Sequence, residues 1–277
     1  MSVALFKPNV WSANLQVALR NNLVSENFVN HDYQGIVMGA GSVKINTLGD
    51  INIQDYDGNT INYDELSTTE DTMNIDRQKF FGFKVDDVDK AQVANSGELM
   101  TKAMSNAAYG LANTRDANNF KTIVDGAGVT IGSAEAPNNV TNATEAKALL
   151  LKLNAEADEA KVPQDGRVVG FGPKFKALLL ADPYISLASP TANDALKKGY
   201  IGTLYGLELY NTNNLPKDGD NEYVVLSHKR FTTEASQIEH IEALRDPNSF
   251  KDIVRGLDVS GAKVVIPQGV IKAVVKY

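Results

Sequence analysis

The sequence predicts an α+β chain, and three observations carry that prediction. Residues 95–125 show an apolar face at helical spacing, with glycine stop signals behind them. Alternating segments at 79–87 and again after residue 250 read as strands, the bed that so long a helix needs. Between them, the chain alternates helix and strand in the manner of an inserted α/β unit.

The helix comes first, because the other elements are placed around it. Asn95 suits its N-cap, with Glu98 three residues on to complete a capping box. Leu99, Ala103, Ala107 and Leu111 recur every four residues, with Met100, Met104 and Ala108 beside them. Gly126 and Gly128 end it. A helix of this span is roughly 45 Å long.

From the N-terminus, Trp11, Leu15 and Leu19 suggest a short amphipathic helix in an otherwise core-poor stretch that runs to Gly41. That stretch either docks on its own domain or lies on another molecule. Val43, Ile45 and Thr47, then Ile51 and Ile53, alternate with polar residues as short strands, and Asp57-Gly58 marks a turn. From Ile45 to Gln78 the acids are Asp50, Asp55, Asp57, Asp64, Glu65, Glu70, Asp71 and Asp76, against the single base Arg77. So acidic an excursion, with a weak apolar face, is expected to project and to lie on a partner surface. Lys79–Asp87 is a strand with Phe81, Phe83 and Val85 on one side and Phe80 on the other.

After the Gly/Asn-rich boundary 126–142, Thr144 is expected to cap a helix, Glu145–Ala160, with Leu149, Leu150, Leu153 and Ala157 inward. Arg167–Phe171 is a strand, Pro173 opens a helix through Ala181, and Ser186–Gly199 is irregular. Leu207–Tyr210, Tyr223–Leu226 and Ile238–Leu244 are further strands. The C-terminus reads as Ile253–Val259, Lys263–Ile266 and Val270–Val275, bent at Gly261 and at Pro267-Gln268-Gly269. These last strands are expected to pair with Lys79–Val85, leaving the middle as an insertion.

With 43% hydrophobic residues, the 277-residue chain can bury a sizeable core. It has no cysteine, so disulfides and thiolate metal sites are excluded, and a reducing compartment suits it. The longest apolar run, Ala177–Ala181, is far too short to span a membrane, and the N-terminus has no signal-peptide core. The net charge of −7 argues against a dedicated DNA-binding protein.

Catalytic signals are sparse. His31, His228 and His240 sit on different elements, without a zinc-protease, thiol-pair or nucleophile-elbow motif. The loop at Asp55 would need Gly at 60 and Glu at 66 to hold calcium, and has Thr60 and Leu66. Asp86, Asp87 and Asp89 read as a solvated corner at a helix start. Gly170-Phe171-Gly172 lies between strand and helix as a phosphate loop would, but lacks the third glycine. No cofactor is expected, and the emptiness shifts weight from an enzyme towards a structural or binding role.

Four stretches, in order, carry a family resemblance: DRQKFFGFKVDDVDKAQ (Asp76–Gln92), KVPQDGRVVGFGPKFKALLLADP (Lys161–Pro183), GTLYGLELYNTNNLP (Gly202–Pro216) and FKDIVRGLDVSGAKVVIPQGV (Phe250–Val270). In their order and spacing the chain resembles the major capsid proteins of tailed bacteriophages, with the Hong Kong 97 fold. The resemblance implies an N-arm at 1–40, an E-loop hairpin at 41–78, and a P-domain with its spine helix at 79–128 that is completed by return strands at 243–277. It also implies an inserted A-domain at 129–242. The implied function is an icosahedral head, built through pentamers and hexamers around double-stranded DNA. The implied place is the virion, after assembly in the host bacterial cytoplasm. Implied partners are further copies, a portal protein and packaged DNA without sequence-specific contacts, and no membrane. The chain begins almost at the arm, so scaffolding is expected from a separate protein. Trp11 of the arm and the E-loop acids Asp50, Asp55, Asp57, Asp64 and Glu65 become candidate subunit contacts. Lys90, Lys102, Arg115 and Lys121 become their candidate basic counter-surface. No lysine lies between Ile45 and Gln78, so the lysine–asparagine weld of some members is not expected. An encapsulin-like compartment shell is the alternative with the same fold, and a small α/β enzyme is the alternative from another class.

Overall fold

The computed structural model describes residues 23–33, 41–48, 68–86, 96–181, 199–247, 249 and 251–277. The expected helix around Trp11, the strand at Ile51–Ile53, the turn at Asp57-Gly58 and the Asn95 cap lie outside the described residues, as do 186–198 of the irregular stretch.

Helix α1, Ser96–Asp125, is the long helix. Among its described side chains the buried ones are Ala108, Leu111, Ala112, Arg115, Asp116, Asn119, Phe120, Ile123 and Val124, an unbroken i, i+3, i+4 stripe. Ala103 and Ala107 are only half-buried. Of the broad face expected, Ala108 and Leu111 are buried with Met104 packed beside them, and the stripe continues through a polar middle. Each part of the stripe meets a different partner. Ala108, Leu111 and Ala112 pack with Leu23 and Phe81. Phe120, Ile123 and Val124 belong to the main core.

That main core lies on an eight-stranded sheet. Its strands are β4 (Val129–Ile131), β5 (Asn138–Asn139), β6 (Arg167–Phe171), β7 (Tyr200–Leu204), β8 (Leu207–Asn211), β9 (Lys217–Asp218), β10 (Asn221–His228) and β13 (Ile271–Lys276). The order is β4-β13-β10-β6-β8-β7, with β5 beside β13 and β9 beside β10. Helix α2, Ala143–Glu159, buries Ala146, Leu149, Leu150, Leu153 and Ala157 against it, and α3, Pro173–Leu180, buries Phe175 and Leu179. The cap of α2 is Asn142 rather than Thr144. Its side chain accepts from the Glu145 amide at 2.9 Å, while Glu145 Oε2 accepts back from the Thr141 amide at 2.7 Å.

Segment 23–33 is docked on its own subunit. Phe28 is fully buried, edge-on to Phe120 at 5.2 Å and to Tyr210 at 5.8 Å. The Asn30 amide donates to the Thr232 carbonyl, and the Asn30 carbonyl accepts from the Glu234 amide.

A second, three-stranded sheet has the order β11-β12-β3, from Thr232–Arg245, Lys251–Val264 and Arg77–Asp86. Its pairing differs in part from the pairing expected for the C-terminal strands. Ile238–Leu244, expected in the insertion, is part of β11 and pairs with β12. Val270–Val275, expected beside Lys79–Val85, instead supplies β13 of the larger sheet, next to β10. Only Lys251–Ser260 of the C-terminal strands pairs with β3.

The two faces of the small sheet have different covers. Asp258 of β12 and Phe81 of β3 face α1. On the other face sits the root of an antiparallel hairpin, β1 (Ser42–Leu48) with β2 (Thr68–Asn74). Val43, Ile45, Met73 and Ile75 pack there on Ala235 and Val259. Gly261 is not a bend but an interior residue of β12: a Cβ there would lie 2.3 Å from the Asn74 carbonyl oxygen. Only glycine lets the hairpin root come this close.

Candidate functional site

Where α1, the small sheet and segment 23–33 meet, the buried residues are charged. Arg115, Asp116 and Asn119 share one face of the helix by their spacing. Asp116 Oδ1 accepts from the Ser25 amide at 3.0 Å and from Ser25 Oγ at 2.7 Å, and its Oδ2 accepts from the Val24 amide at 3.1 Å. It therefore holds the short turn Ser25–Asn27 by the orphan amides at its start. Asn119 Nδ2 donates to Ser25 Oγ and to Glu234 Oε2. Arg115 donates from Nη2 to Asp258 Oδ1 and from Nη1 to Ser236 Oγ, and its Nε lies 3.6 Å from Glu234 Oε1.

The electrostatics follow from burial. Desolvation pushes the Asp116, Glu234 and Asp258 carboxyls above the usual range, and Arg115 opposes it at the last two. His31 stands between two acceptors: Nε2 is 2.9 Å from Glu26 Oε1 and Nδ1 is 3.3 Å from the Glu234 carbonyl oxygen. Only the imidazolium can donate to both, and the hydrogen bond to Glu26 raises its pKa. Glu26, His31 and Glu234 also have the composition of a metal site, with ligand atoms within 4.8 Å of one another. A protonated His31, with Arg115 beside Glu234, already supplies the positive charge there.

The remaining chemistry-like features have packing explanations. A Cβ at Gly170 would stand 3.0 Å from Phe28, and one at Gly172 would stand 2.7 Å from Glu222 Oε2. The buried Glu222 carboxylate, paired with Lys217 at 2.9 Å, sets negative charge where a phosphate would have to sit. His228 fastens a loop, with Nε2 at 3.1 Å from the Asp165 carbonyl oxygen and Nδ1 accepting from the Arg230 amide.

Comparison with known proteins decides the family. The family described as phage capsid protein matches residues 70–273. The chain belongs to the phage capsid protein family. A solved structure from Mycobacterium phage Che8 shares 31% identity over 92% of this chain and 90% of its own, with a TM-score of 0.70. The capsid of cyanophage P-SCSP1u shares the fold at 16% identity, covering 86% and 84% of the two chains, with a TM-score of 0.66. A virus-like particle from Pyrococcus furiosus shares it at 10% identity, covering 96% and 98%, with a TM-score of 0.57. No curated protein matches the sequence. The capsid protein is thus a structural component of a bacteriophage shell. Among its described residues, no helix is long and apolar enough to cross a membrane.

The residues expected to join one capsid protein to the next fall into three groups. Trp11, Asp50, Asp55, Asp57, Asp64, Glu65 and Lys90 lie outside the described residues. Lys102 and Lys121 are exposed on α1. Arg115 is buried. Expected on a counter-surface, its side chain is only 6% exposed and faces Asp258 and Glu234 of its own subunit. Two further acids of the 45–78 stretch, not among those candidates, are partnered within the chain: Glu70 pairs with Lys44 on the hairpin, and Asp71 pairs with Lys263 of β12. Sequence reasoning missed the buried Asp116, Asn119, Glu234 and Asp258. Their signal was polar residues at inward helical spacing, which hydropathy alone assigns to solvent.

Proposed function

We propose that this chain is the major capsid protein of a tailed bacteriophage, whose copies form pentamers and hexamers and close into an icosahedral head around double-stranded DNA. The observation that carries the reading is the family match over residues 70–273, the stretch that spans β3, the long helix and both larger sheets. In this reading α1 is the spine helix, and with the small sheet it makes the P-domain. The large sheet with α2 and α3 is the A-domain, β13 included. The hairpin rooted on Ala235 and Val259 is the E-loop, and its acidic stretch reaches an adjacent copy. A shell needs heterologous contacts that close into rings, and several weak ones per subunit make the closed particle durable. A net acidic subunit also leaves packaged DNA free to move. A portal protein and a separate scaffolding protein complete the assembly, which takes place in the host cytoplasm.

The test is to neutralise the acids at 50, 55, 57, 64 and 65 to their amides and to view the purified protein by negative-stain microscopy. Wild-type chain is expected to give shells, and the neutralised chain a folded subunit without stable shells. Normal particles from the neutralised chain refute the E-loop assignment. A wild type that remains a monomer and is stabilised by a small ligand points to the enzyme class instead. The compartment-shell alternative is kept by the likeness to the Pyrococcus furiosus particle. Particles carrying cargo protein, without DNA and portal, decide for it.

A further inference from the structure

His31 has one ring nitrogen satisfied by the backbone and the other facing a carboxylate. A neutral imidazole has a single N–H, and the Glu234 carbonyl oxygen, 3.3 Å from Nδ1, is placed to accept it. Nε2 then turns a lone pair towards Glu26 Oε1 at 2.9 Å, two acceptors at hydrogen-bond distance. A cation has to stand between them. The proton of the imidazolium is one such cation, and a metal ion is another. A histidine whose second nitrogen donates to a backbone carbonyl is also oriented as metal-bound histidines are.

Two further observations favour the metal. The first is charge. The linked group holds three carboxylates, Glu26, Glu234 and Asp258, and one guanidinium, Arg115, which faces the last two. Asp116 stands apart, held by the Ser25 and Val24 amides. With a neutral imidazole two negative charges are left over. A divalent ion cancels both, where a proton cancels one. The second observation is a buried acceptor. Glu234 is fully buried, and its Oε1 has no hydrogen bond, only Arg115 Nε at 3.6 Å. An unsatisfied buried oxygen of this kind calls for an ion or a water. The ligand atoms of Glu26, His31 and Glu234 lie within 4.8 Å of one another, so small side-chain rotations bring them to the roughly 2.0–2.2 Å that zinc takes from nitrogen and oxygen.

We infer that Glu26, His31 and Glu234 form a binding site for one divalent metal ion of the zinc class, which clamps segment 23–33 to β11. One imidazole with two carboxylates suits zinc better than magnesium or calcium, which take oxygen donors. The His31 and Glu26 side chains are partly exposed, so water completes the coordination from the solvent side. Binding displaces the His31 proton to solvent, and no electron moves. The clamp adds to the Phe28 anchor and to the pairing of Asn30 with Thr232 and Glu234.

The test titrates the full chain with zinc chloride by calorimetry, near pH 6.5, in two buffers of different ionisation heat. One ion per chain is expected to bind, with release of a proton and a rise in the urea midpoint that a chelator reverses. His31→Gln and Glu26→Gln are each expected to lower the affinity by at least the roughly 10- to 100-fold that loss of an outer-shell partner costs, and His31→Gln to abolish the proton release. The Glu26 side chain is partly exposed, so that variant keeps the fold. His228→Ala should bind as wild type does, and excess magnesium should not displace the zinc. A wild type without a saturable site, unchanged affinity in Glu26→Gln or His31→Gln, or displacement by magnesium overturns the inference. None of these outcomes depends on shell formation, so the capsid reading stands or falls separately.

Discussion

Arg115 on α1 donates from Nη2 to Oδ1 of Asp258 on β12, with the two side chains 6% and 4% exposed. The pair ties the helix to the small sheet at mid-length, between one apolar contact at Leu111 and another at Phe120. Buried pairs of this kind contribute little net stability but are costly to break from one side. Arg115→Met is therefore expected to destabilise the unassembled subunit by about 3–5 kcal/mol, because Glu234 and Asp258 lose the guanidinium that faces them. The loss should depend on pH. Both carboxyls already have folded-state pKa values above the unfolded ones, so the folded state binds more protons, and stability falls as pH rises through that interval. Without Arg115 the interval widens upward. Urea denaturation at pH 5 and pH 8 should show the larger deficit at pH 8, and equal deficits would refute the assignment.

His31 gives a second pH signature, of the same sign but higher on the scale. Its folded-state pKa is raised above 6.5, chiefly by the hydrogen bond to Glu26. Its contribution is thus complete below about 6.5 and is lost as pH rises through the folded-state value. The groups facing it are Glu26 on its own segment and Glu234 on β11, with Arg115 of α1 beyond Glu234. His31→Ala is expected to cost on the order of 1 kcal/mol at pH 6, and the gap from wild type should narrow by pH 9. A gap that stays constant over that range would mean that His31 acts by packing alone.

How much of this was legible in the sequence depended on whether a residue's partner was near in the chain. The helix at 96–125 and the inward leucines of α2 follow from spacing, and the structure has both. The inward face of α1 was legible as far as Met104, Ala108 and Leu111, but not its continuation through Arg115, Asp116 and Asn119. Hydropathy turns such residues outward unless their partners are known, and Ser25, Glu234 and Asp258 lie about 90 to 140 positions away. Strand pairing was legible only in part, for the same reason: Ile253–Val259 does lie beside β3 as expected, and Val270–Val275 does not. Alternation shows that Val270–Val275 is a strand, but not that it lies beside β10. Gly261 read as a bend because a glycine in a strand has two meanings, and the second, close backbone approach, requires the hairpin to be seen. The family order of motifs reached further than any of these, since it carries tertiary information that periodicity lacks.

Gly261 tests the hairpin root directly. A methyl group there would collide with the Asn74 carbonyl and lie 3.0 Å from Ile75 Cα, both backbone atoms that cannot turn aside. Gly261→Ala is expected to cost about 1–3 kcal/mol through overpacking. Because the root is a small satellite cluster, the effect should be local. Amide hydrogen exchange in β1 and β2 should speed up while β6 and β10 keep their protection. Uniform acceleration across the large sheet would contradict the separation of the two clusters.

Phe28 decides whether segment 23–33 belongs to the subunit's core or only to the assembled shell. Its ring is fully buried between Phe120 of α1 and Tyr210 of β8, and Gly170 of β6 is held bare to admit it. Truncation removes the ring from a site bounded by a helix and a sheet, and neither can collapse into the gap. Phe28→Ala is therefore expected to destabilise the isolated subunit by about 3–5 kcal/mol, a loss visible in urea before any particle forms. Phe28→Leu should recover much of it, since most of the volume returns. If Phe28→Ala unfolds at the wild-type midpoint yet fails to assemble, the segment serves the shell alone, and its burial in the subunit carries no stability.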